Sequence, residues 1–252
     1  MRHFFSVGGE SALAQVMCRK PLLAFDFDGT LTPIVSRPEQ AFASKAVALR
    51  LHALSQLLPV AIVTGRTIED ARERLGFVPT YLIGNHGAQD ENDPVKTAFL
   101  CEGLNPLREA LQAHQAELAA AGVRVEDKGL SIALHYRLSR KRAQAVTLIH
   151  NLLAPLGSLI KVFAGKMVVN AMAKDAPDKA DALRTLVRRS GASCAFFAGD
   201  DVNDEPVFAA AAEDWFTVRV GRDDPTSKAK YFLDGPGEMA TLLDCMLAAL
   251  SK

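Results

Sequence analysis

Hydrophobic positions in the first third of the chain form short unbroken runs separated by amphipathic stretches. Leu22-Leu23-Ala24-Phe25, Val60-Ala61-Ile62-Val63 and Tyr81-Leu82-Ile83-Gly84 are three such runs. None alternates with polar positions, which predicts strands buried on both faces. A short helix over Ser11–Cys18 precedes the first run. Ser44 can cap a helix from Lys45 to about Leu57, with Val47, Leu49, Leu51, Leu54, Leu57 and Leu58 partly on one face. Thr67 and Asp70 have capping-box spacing for a helix ending near Leu75. This β-α-β-α-β alternation predicts a parallel sheet with right-handed crossovers.

The pattern then changes. Asp90–Pro94 is polar and turn-like, a linker. A helix rich in Ala and Leu runs from Leu104 to about Ala120. Val123–Asp127 and Leu130–Tyr136 read as strands joined at Lys128-Gly129. Ser139 can cap a helix to about Leu153. Leu159–Phe163 and Met167–Asn170 read as a second hairpin turning at Ala164-Gly165-Lys166. Helix, hairpin, helix, hairpin is an α+β pattern, so residues 104–173 are expected to form an inserted domain. The first pattern resumes with a helix over Asp178–Ser190, an apolar strand over Ser193–Gly199, and a helix through Ala212. A strand over Trp215–Val220 and a helix over Pro236–Leu250 close the chain. The expected fold is therefore α/β: a parallel-sheet core of residues 1–103 and 174–252, interrupted by an α+β insert.

Composition adds mostly exclusions. Hydrophobic residues make up 49% and charged residues 23% of the 252, and formal net charge is zero. That is ordinary globular composition, with neither a nucleic-acid footprint nor a polybasic membrane patch. Cys18, Cys101, Cys194 and Cys245 are scattered, with no Cys-x-x-Cys pair. Free thiols point to a reducing cytoplasm. No sustained apolar segment follows Met1 as a secretory signal would require, and no 18-residue apolar span exists. Oligomeric state is left open, a monomer included.

Candidate chemistry lies at the strand ends. The first run leads into Asp26-Phe27-Asp28-Gly29-Thr30, the second ends at Thr64, and the Ser193–Gly199 strand ends in Asp200-Asp201-Val202-Asn203-Asp204-Glu205. Ligands of open α/β sheets bind beyond the carboxyl ends of the strands, so these residues converge on one crevice. Carboxylates so close repel one another. Mg²⁺ is the natural resolution, a hard cation held by carboxylates, water and substrate phosphate oxygens. Lys179, at a helix start near this edge, supplies fixed positive charge, with Lys174 a nearby alternative. Such a set suits phosphoryl transfer from a phosphate monoester. A metal and a lysine neutralise non-bridging oxygens, and Thr64 donates a hydrogen bond. One Asp attacks phosphorus to form an aspartyl-phosphate, and another moves the proton.

Asp26-x-Asp28-Gly-Thr, Thr64, Lys179 and Gly199-Asp200-Asp201-x-x-Asp204 together resemble the four motifs of the haloacid dehalogenase (HAD) phosphohydrolase superfamily. The insert resembles its type IIB cap. The resemblance implies a Rossmann-like HAD core, Asp26 as nucleophile and Asp28 as general acid/base. It implies Mg²⁺ on Asp26, the Asp28 backbone carbonyl and Asp200, with Asp201 and Asp204 supporting or completing the site. Val63-Thr64-Gly65-Arg66, Gly84-Asn85-His86-Gly87-Ala88, Val125-Glu126-Asp127-Lys128-Gly129, Leu134-His135-Tyr136-Arg137 and Gly165-Lys166-Met167 are further similar to the trehalose-6-phosphate phosphatases. That likeness implies a sugar-phosphate substrate, with Glu126, Lys128 and Lys166 meeting sugar hydroxyls. Arg66, His86 and Asn170 are further candidate substrate contacts. The family usually has Glu where this chain has Asn170, and tends to have Thr where it has Asn203. Both departures fall on the substrate side, so sucrose phosphate and glycoside phosphates remain alternatives to trehalose 6-phosphate. A regulatory domain that had lost turnover would be expected to lose Asp26, Asp28 or the metal carboxylates first, and all are present.

Overall fold

The computed structural model describes residues 1–6, 8–165 and 167–251. The chain divides into two compact units, Met1–Gly87 with Asp178–Lys252, and Ala88–Pro177. In the first segment lie β1 (Arg2–His3), α1 (Gly9–Met17), β2 (Leu22–Phe25), α2 (Lys45–Ser55), β3 (Val60–Val63), α3 (Ile68–Leu75) and β4 (Tyr81–Gly84). The second unit holds β5 (Gln89–Asp90), α4 (Pro94–Glu102), α5 (Asn105–Ala113), α6 (Gln115–Ala120), β6 (Arg124–Asp127), β7 (Ser131–His135), α7 (Arg142–Leu153), β8 (Ile160–Gly165) and β9 (Val168–Ala173). The chain returns to the first unit with α8 (Lys179–Ser190), β10 (Ala195–Gly199), α9 (Glu205–Ala210), β11 (Phe216–Val220), β12 (Tyr231–Leu233) and α10 (Met239–Leu250).

In the first unit the strands run in the order β1-β12-β11-β10-β2-β3-β4, every pairing parallel. The α/β class read from the sequence is borne out. Alternate residues of each strand face opposite sides. Leu23, Phe25, Val60, Ile62 and Phe196 pack with Leu13 of α1, Leu51 of α2 and Leu243 of α10. Leu22, Ala24, Ala61, Val63 and Phe197 pack with Leu183 and Leu186 of α8 and Phe208 of α9. Both faces are covered, which is why these strands read as unbroken apolar runs. Each fully buried Leu or Phe contributes about 1.5–3 kcal/mol.

Strand order reverses between β2 and β10. From β2 the chain steps to β3 and β4 on one side, and from β10 it steps to β11 and β12 on the other. Such a switch point opens a crevice at the carboxyl ends of the two strands. Asp26 immediately follows β2 and Asp200 immediately follows β10.

The second unit forms an antiparallel sheet, β6-β7-β9-β8. Ile132, Leu134 and Val169 of its sheet pack with Leu107 and Leu111 of α5, Leu118 of α6 and Ile149 of α7. The unit runs from 88 to 177 rather than from 104 to 173. The difference lies in α4, whose Leu100 is buried with Leu130, Met172 and Ala176. The helix expected over 104–120 breaks at His114, with φ −107° and ψ 15°; the His114 ring nitrogen sits 2.9 Å from the Ala110 carbonyl. Ser139 accepts from the Lys141 N–H at 3.2 Å, and α7 begins beyond it without a side-chain cap. Among the described residues, no helix is long and apolar enough to cross a membrane.

Candidate active site

The loop after β2 is tight. The Asp26 N–H donates to the Ala198 carbonyl at 2.9 Å, extending the β2–β10 pairing. The Phe27 carbonyl accepts from the N–H groups of Thr30, Leu31 and Thr32 at 3.3, 2.9 and 3.2 Å. The chain thus turns sharply under Asp26 and Asp28. Gly29 takes φ +84°, a conformation that L side chains rarely adopt, and a Cβ there would overlap the Asp200 carboxylate. A Cβ on Gly199 would likewise overlap the Asp204 carboxylate. Two glycines therefore leave the space in which these acids sit.

Lys179 closes the arrangement. Asp178 caps α8, its side chain accepting from the Asp181 N–H at 2.8 Å, and Lys179 is the first helical residue. Lys179 Nζ donates to Asp26 Oδ1 and to Asp204 Oδ1, both at 2.7 Å. Asp26, Asp200 and Asp204 each bring an oxygen within 4.8 Å of the others, and all three are buried. Burial pushes the Asp26 carboxyl well above the ordinary aspartate value. Lys179 counters this, while Asp204 and Asp200 push it further up. Burial alone would lower Lys179, but Asp204 and Asp26 outweigh it and hold the ammonium above the ordinary lysine value. Lys179 bridges two of the three buried carboxylates of the cluster, and the Asp200 and Asp204 charges oppose ionisation of Asp26. The cluster's donors are all oxygens, and two glycines keep space beside them; this set fits a hard divalent cation.

The other expected site residues fall into place differently. Asp201 is outside the cluster. It caps the short turn Val202–Asp204 and accepts from Asn203 Nδ2 at 3.2 Å. Asp204, one helical turn beyond Asp200, is the carboxylate that points inward. Asp28 also stands apart from the cluster. Its two carboxylate oxygens accept from Arg66 Nε and Nη2, at 2.7 Å each. Arg66 is itself buried and donates also to Asp70 at 2.5 Å and to the Pro38 carbonyl at 2.8 Å. Arg66, expected as a substrate contact, is held in this pairing in the structure. Thr64, fully buried at the end of β3, accepts from the Arg66 backbone N–H at 3.2 Å, which leaves its hydroxyl proton to donate. His86 lies in a left-handed turn with Asn85 and Gly87, at φ 56°, 49° and 114°. Its ring lies against Gly65, where a Cβ would meet it. Lys174 is exposed and belongs to the second unit.

In the second unit, Glu126 Oε2 lies 2.7 Å from His135 Nε2. The hydrogen bond to His135 holds the Glu126 carboxyl at about 2, against burial and with help from the Lys128 and Arg124 charges. Asn170 is buried in mid-β9, in register with Ala133 and Phe163. Lys166 lies outside the described residues. Sequence reasoning missed the Asp28–Arg66–Asp70–Arg74 chain. Half of it was readable: Arg66, Asp70 and Arg74 stand at i, i+4 spacing.

A parallel sheet whose switch point carries a lysine-bridged pair of aspartates, with a separate α+β unit inserted into the chain, has the architecture of the haloacid dehalogenase phosphohydrolases. The Trehalose-phosphatase family model matches residues 24–236. The chain belongs to the trehalose-phosphatase family. It is 27% identical over 246 residues to a trehalose-phosphate phosphatase of Mycobacterium ulcerans, covering 92% of this chain and 63% of that protein. It is 33% identical over 208 residues to an uncharacterised glycosyl hydrolase of Mycobacterium tuberculosis, covering 76% of this chain and 15% of that one. The chain thus spans less than two thirds of the length of these curated relatives. A crystal structure of a trehalose-6-phosphate phosphatase related protein superposes with a TM-score of 0.71 at 25% identity, covering 91% of this chain and all of the other.

Proposed function

We propose that this chain is a Mg²⁺-dependent phosphoric monoester hydrolase that releases trehalose from trehalose 6-phosphate. The observation that carries the reading is the buried group of Asp26, Asp200 and Asp204 with Lys179 bridged between two of them at the switch point. Asp26, the Asp28 carbonyl, Asp200 and Asp204 would hold the cation. Bound there, it would neutralise the phosphate dianion and let a carboxylate approach phosphorus.

The chain's own groups do the rest. Lys179 offsets the charge of Asp26 and of an arriving phosphate oxygen, while Thr64 donates its hydroxyl proton to another. Asp26 attacks phosphorus and forms the aspartyl-phosphate as the P–O bond to the sugar breaks. Asp28 gives its proton to the leaving oxygen. It then takes one from the water that attacks the aspartyl-phosphate, freeing phosphate and Asp26. Glu126, Lys128 and Asn170 of the inserted unit, and Lys166, are proposed for the sugar hydroxyls. His86 is proposed as a further substrate contact, Asp201 as a support of the cation site, and the cytoplasm as the location; four free cysteines support the last.

Phosphate release from trehalose 6-phosphate, sucrose 6-phosphate and monosaccharide phosphates, compared by kcat/KM, tests the reading. Preference for trehalose 6-phosphate, loss of activity on chelation, and loss in Asp26→Asn are expected. Preference for another ester would overturn the substrate, and activity that survives full chelation would overturn the cation.

A further inference from the structure

At the outer edge of the first unit's sheet, three side chains from distant parts of the chain converge. His3 lies on β1, Asp234 immediately follows β12, and Glu238 ends the short turn Pro236–Glu238 ahead of α10. His3 Nε2 stands 3.4 Å from Asp234 Oδ1 and 3.4 Å from Glu238 Oε2. One ligand atom from each of the three lies within 4.8 Å of the others. A charge-assisted hydrogen bond closes to about 2.7–2.9 Å, and His3 Nε2 is a buried atom with no hydrogen-bond partner. Where His135 meets Glu126, imidazole and carboxylate do close to 2.7 Å. The 3.4 Å separations at His3 match instead the edge of a tetrahedron around one metal ion, since bonds of about 2.0–2.1 Å set ligand atoms about 3.3–3.4 Å apart. Each group is also held in place. The His3 ring stands edge-on to Phe232 at 5.1 Å and tilted to Phe5 at 5.8 Å. The two Asp234 oxygens accept from Arg222 Nε and Nη2, and Glu238 Oε2 accepts from the Asp234 N–H at 2.6 Å. Outer partners of this kind orient the ligands of metal sites.

We propose that His3, Asp234 and Glu238 form a second cation site, one that takes a divalent transition ion such as Zn²⁺, with water in the fourth position. An imidazole beside two carboxylates suits such an ion, whereas the all-oxygen group of Asp26, Asp200 and Asp204 suits a harder one. The two sites are separate. Asp234 follows β12 and Asp26 follows β2, three strand spacings away in the order β12-β11-β10-β2, or about 14 Å. All three ligands belong to the first unit. The first strand, β1, is only two residues long. An ion on His3 ties that strand to the loop ahead of α10, so its work is to hold the sheet edge and not to serve phosphoryl transfer.

Co²⁺ tells the two sites apart in one protein. In a tetrahedral site with a nitrogen ligand it absorbs visible light far more strongly than in an octahedral site of oxygens. Wild-type protein, stripped by chelator and returned to excess Mg²⁺, is titrated with Co²⁺ and then with Zn²⁺. An intense visible band that saturates and is bleached by Zn²⁺ is expected. His3→Gln and Glu238→Gln should lose the band. Arg222→Gln, which frees the Asp234 carboxylate without removing a ligand, should keep it and bind about tenfold to a hundredfold more weakly. None of these side chains touches the Asp26 group, so all three variants should release phosphate with Mg²⁺ at the wild-type rate. Melting in chelator checks that each variant is folded, and should His3→Gln fail there, Glu238→Gln carries the test. A wild type without the intense band, or a band that persists in a folded His3→Gln or Glu238→Gln protein, would overturn the site.

Discussion

Lys179 and Asp26 are 153 residues apart in sequence and 2.7 Å apart in space. The lysine enters at the first residue of α8, the aspartate leaves at the end of β2, and Asp204 accepts the lysine's second bond. Removing the lysine leaves the Asp26 and Asp204 carboxylates buried without the ammonium that bridges them. Lys179→Met is therefore expected to destabilise the cation-free protein by about 3–5 kcal/mol and to abolish turnover. Chemical denaturation in chelator checks the first, and a melting curve like that of wild type would refute it. Adding Mg²⁺ should recover more stability in the variant than in wild type, because the cation then replaces a missing charge.

The repulsion between Asp200 and Asp26 gives Asp200→Asn an unusual sign. Fewer negative charges crowd the cluster, so the cation-free variant should melt a few degrees above wild type. Wild type should gain about 2.7 kcal/mol when Mg²⁺ reaches a hundred times its dissociation constant, and Asp200→Asn should gain much less. Paired thermal melts in chelator and in Mg²⁺ read both effects. An Asp200→Asn protein that melts below wild type in chelator would show the cluster already neutralised.

Much of this site was legible in the sequence. Leu22–Phe25, Val60–Val63 and Ala195–Gly199 are buried on both faces, so their composition announces them without a periodic signal. Once three parallel strands are recognised, their carboxyl ends must share an edge, and Asp26, Thr64 and Asp200 follow. What the sequence hid is set by tertiary geometry. The short turn Val202–Asp204 decides that Asp204, and not Asp201, faces Asp26. Arg66 lies 38 residues from Asp28, and nothing local announces their pairing. Thr67 accepts from the Asp70 N–H at 3.2 Å as a helix cap should, yet the Asp70 carboxylate turns to Arg66 and Arg74 instead of completing the capping box. The edge strands Arg2–His3 and Tyr231–Leu233 are too short for any period to register.

Gly29 and Gly199 make a stricter claim on the cluster than the acids do. Gly29→Ala forces a Cβ into the Asp200 carboxylate at a left-handed backbone position, which alone costs about 1–2 kcal/mol. Gly199→Ala displaces Asp204 and breaks its bond to Lys179. Both variants are expected to keep the fold, judged by circular dichroism, and to lose the Mg²⁺-dependent rise in melting temperature. A variant that retains the full rise would show that the carboxylates tolerate displacement.

The inserted unit offers a test independent of the phosphate chemistry. His135 holds the Glu126 carboxyl at about 2, against an ordinary value of 4.5. A carboxylate whose value folding lowers adds stability above its unfolded value, and that stability drains away as pH falls from 4.5 toward 2. Glu126 is 41% exposed, so solvent screening keeps the pair's worth at or below about 1 kcal/mol. Glu126→Gln should therefore unfold at lower denaturant than wild type at neutral pH. The gap should shrink through that acid window and close once the pH drops below about 2. Denaturant titrations of both proteins across the window read it directly. A gap of the same size at both ends would mean that packing around the side chain, and not its charge against His135, holds Glu126 in place.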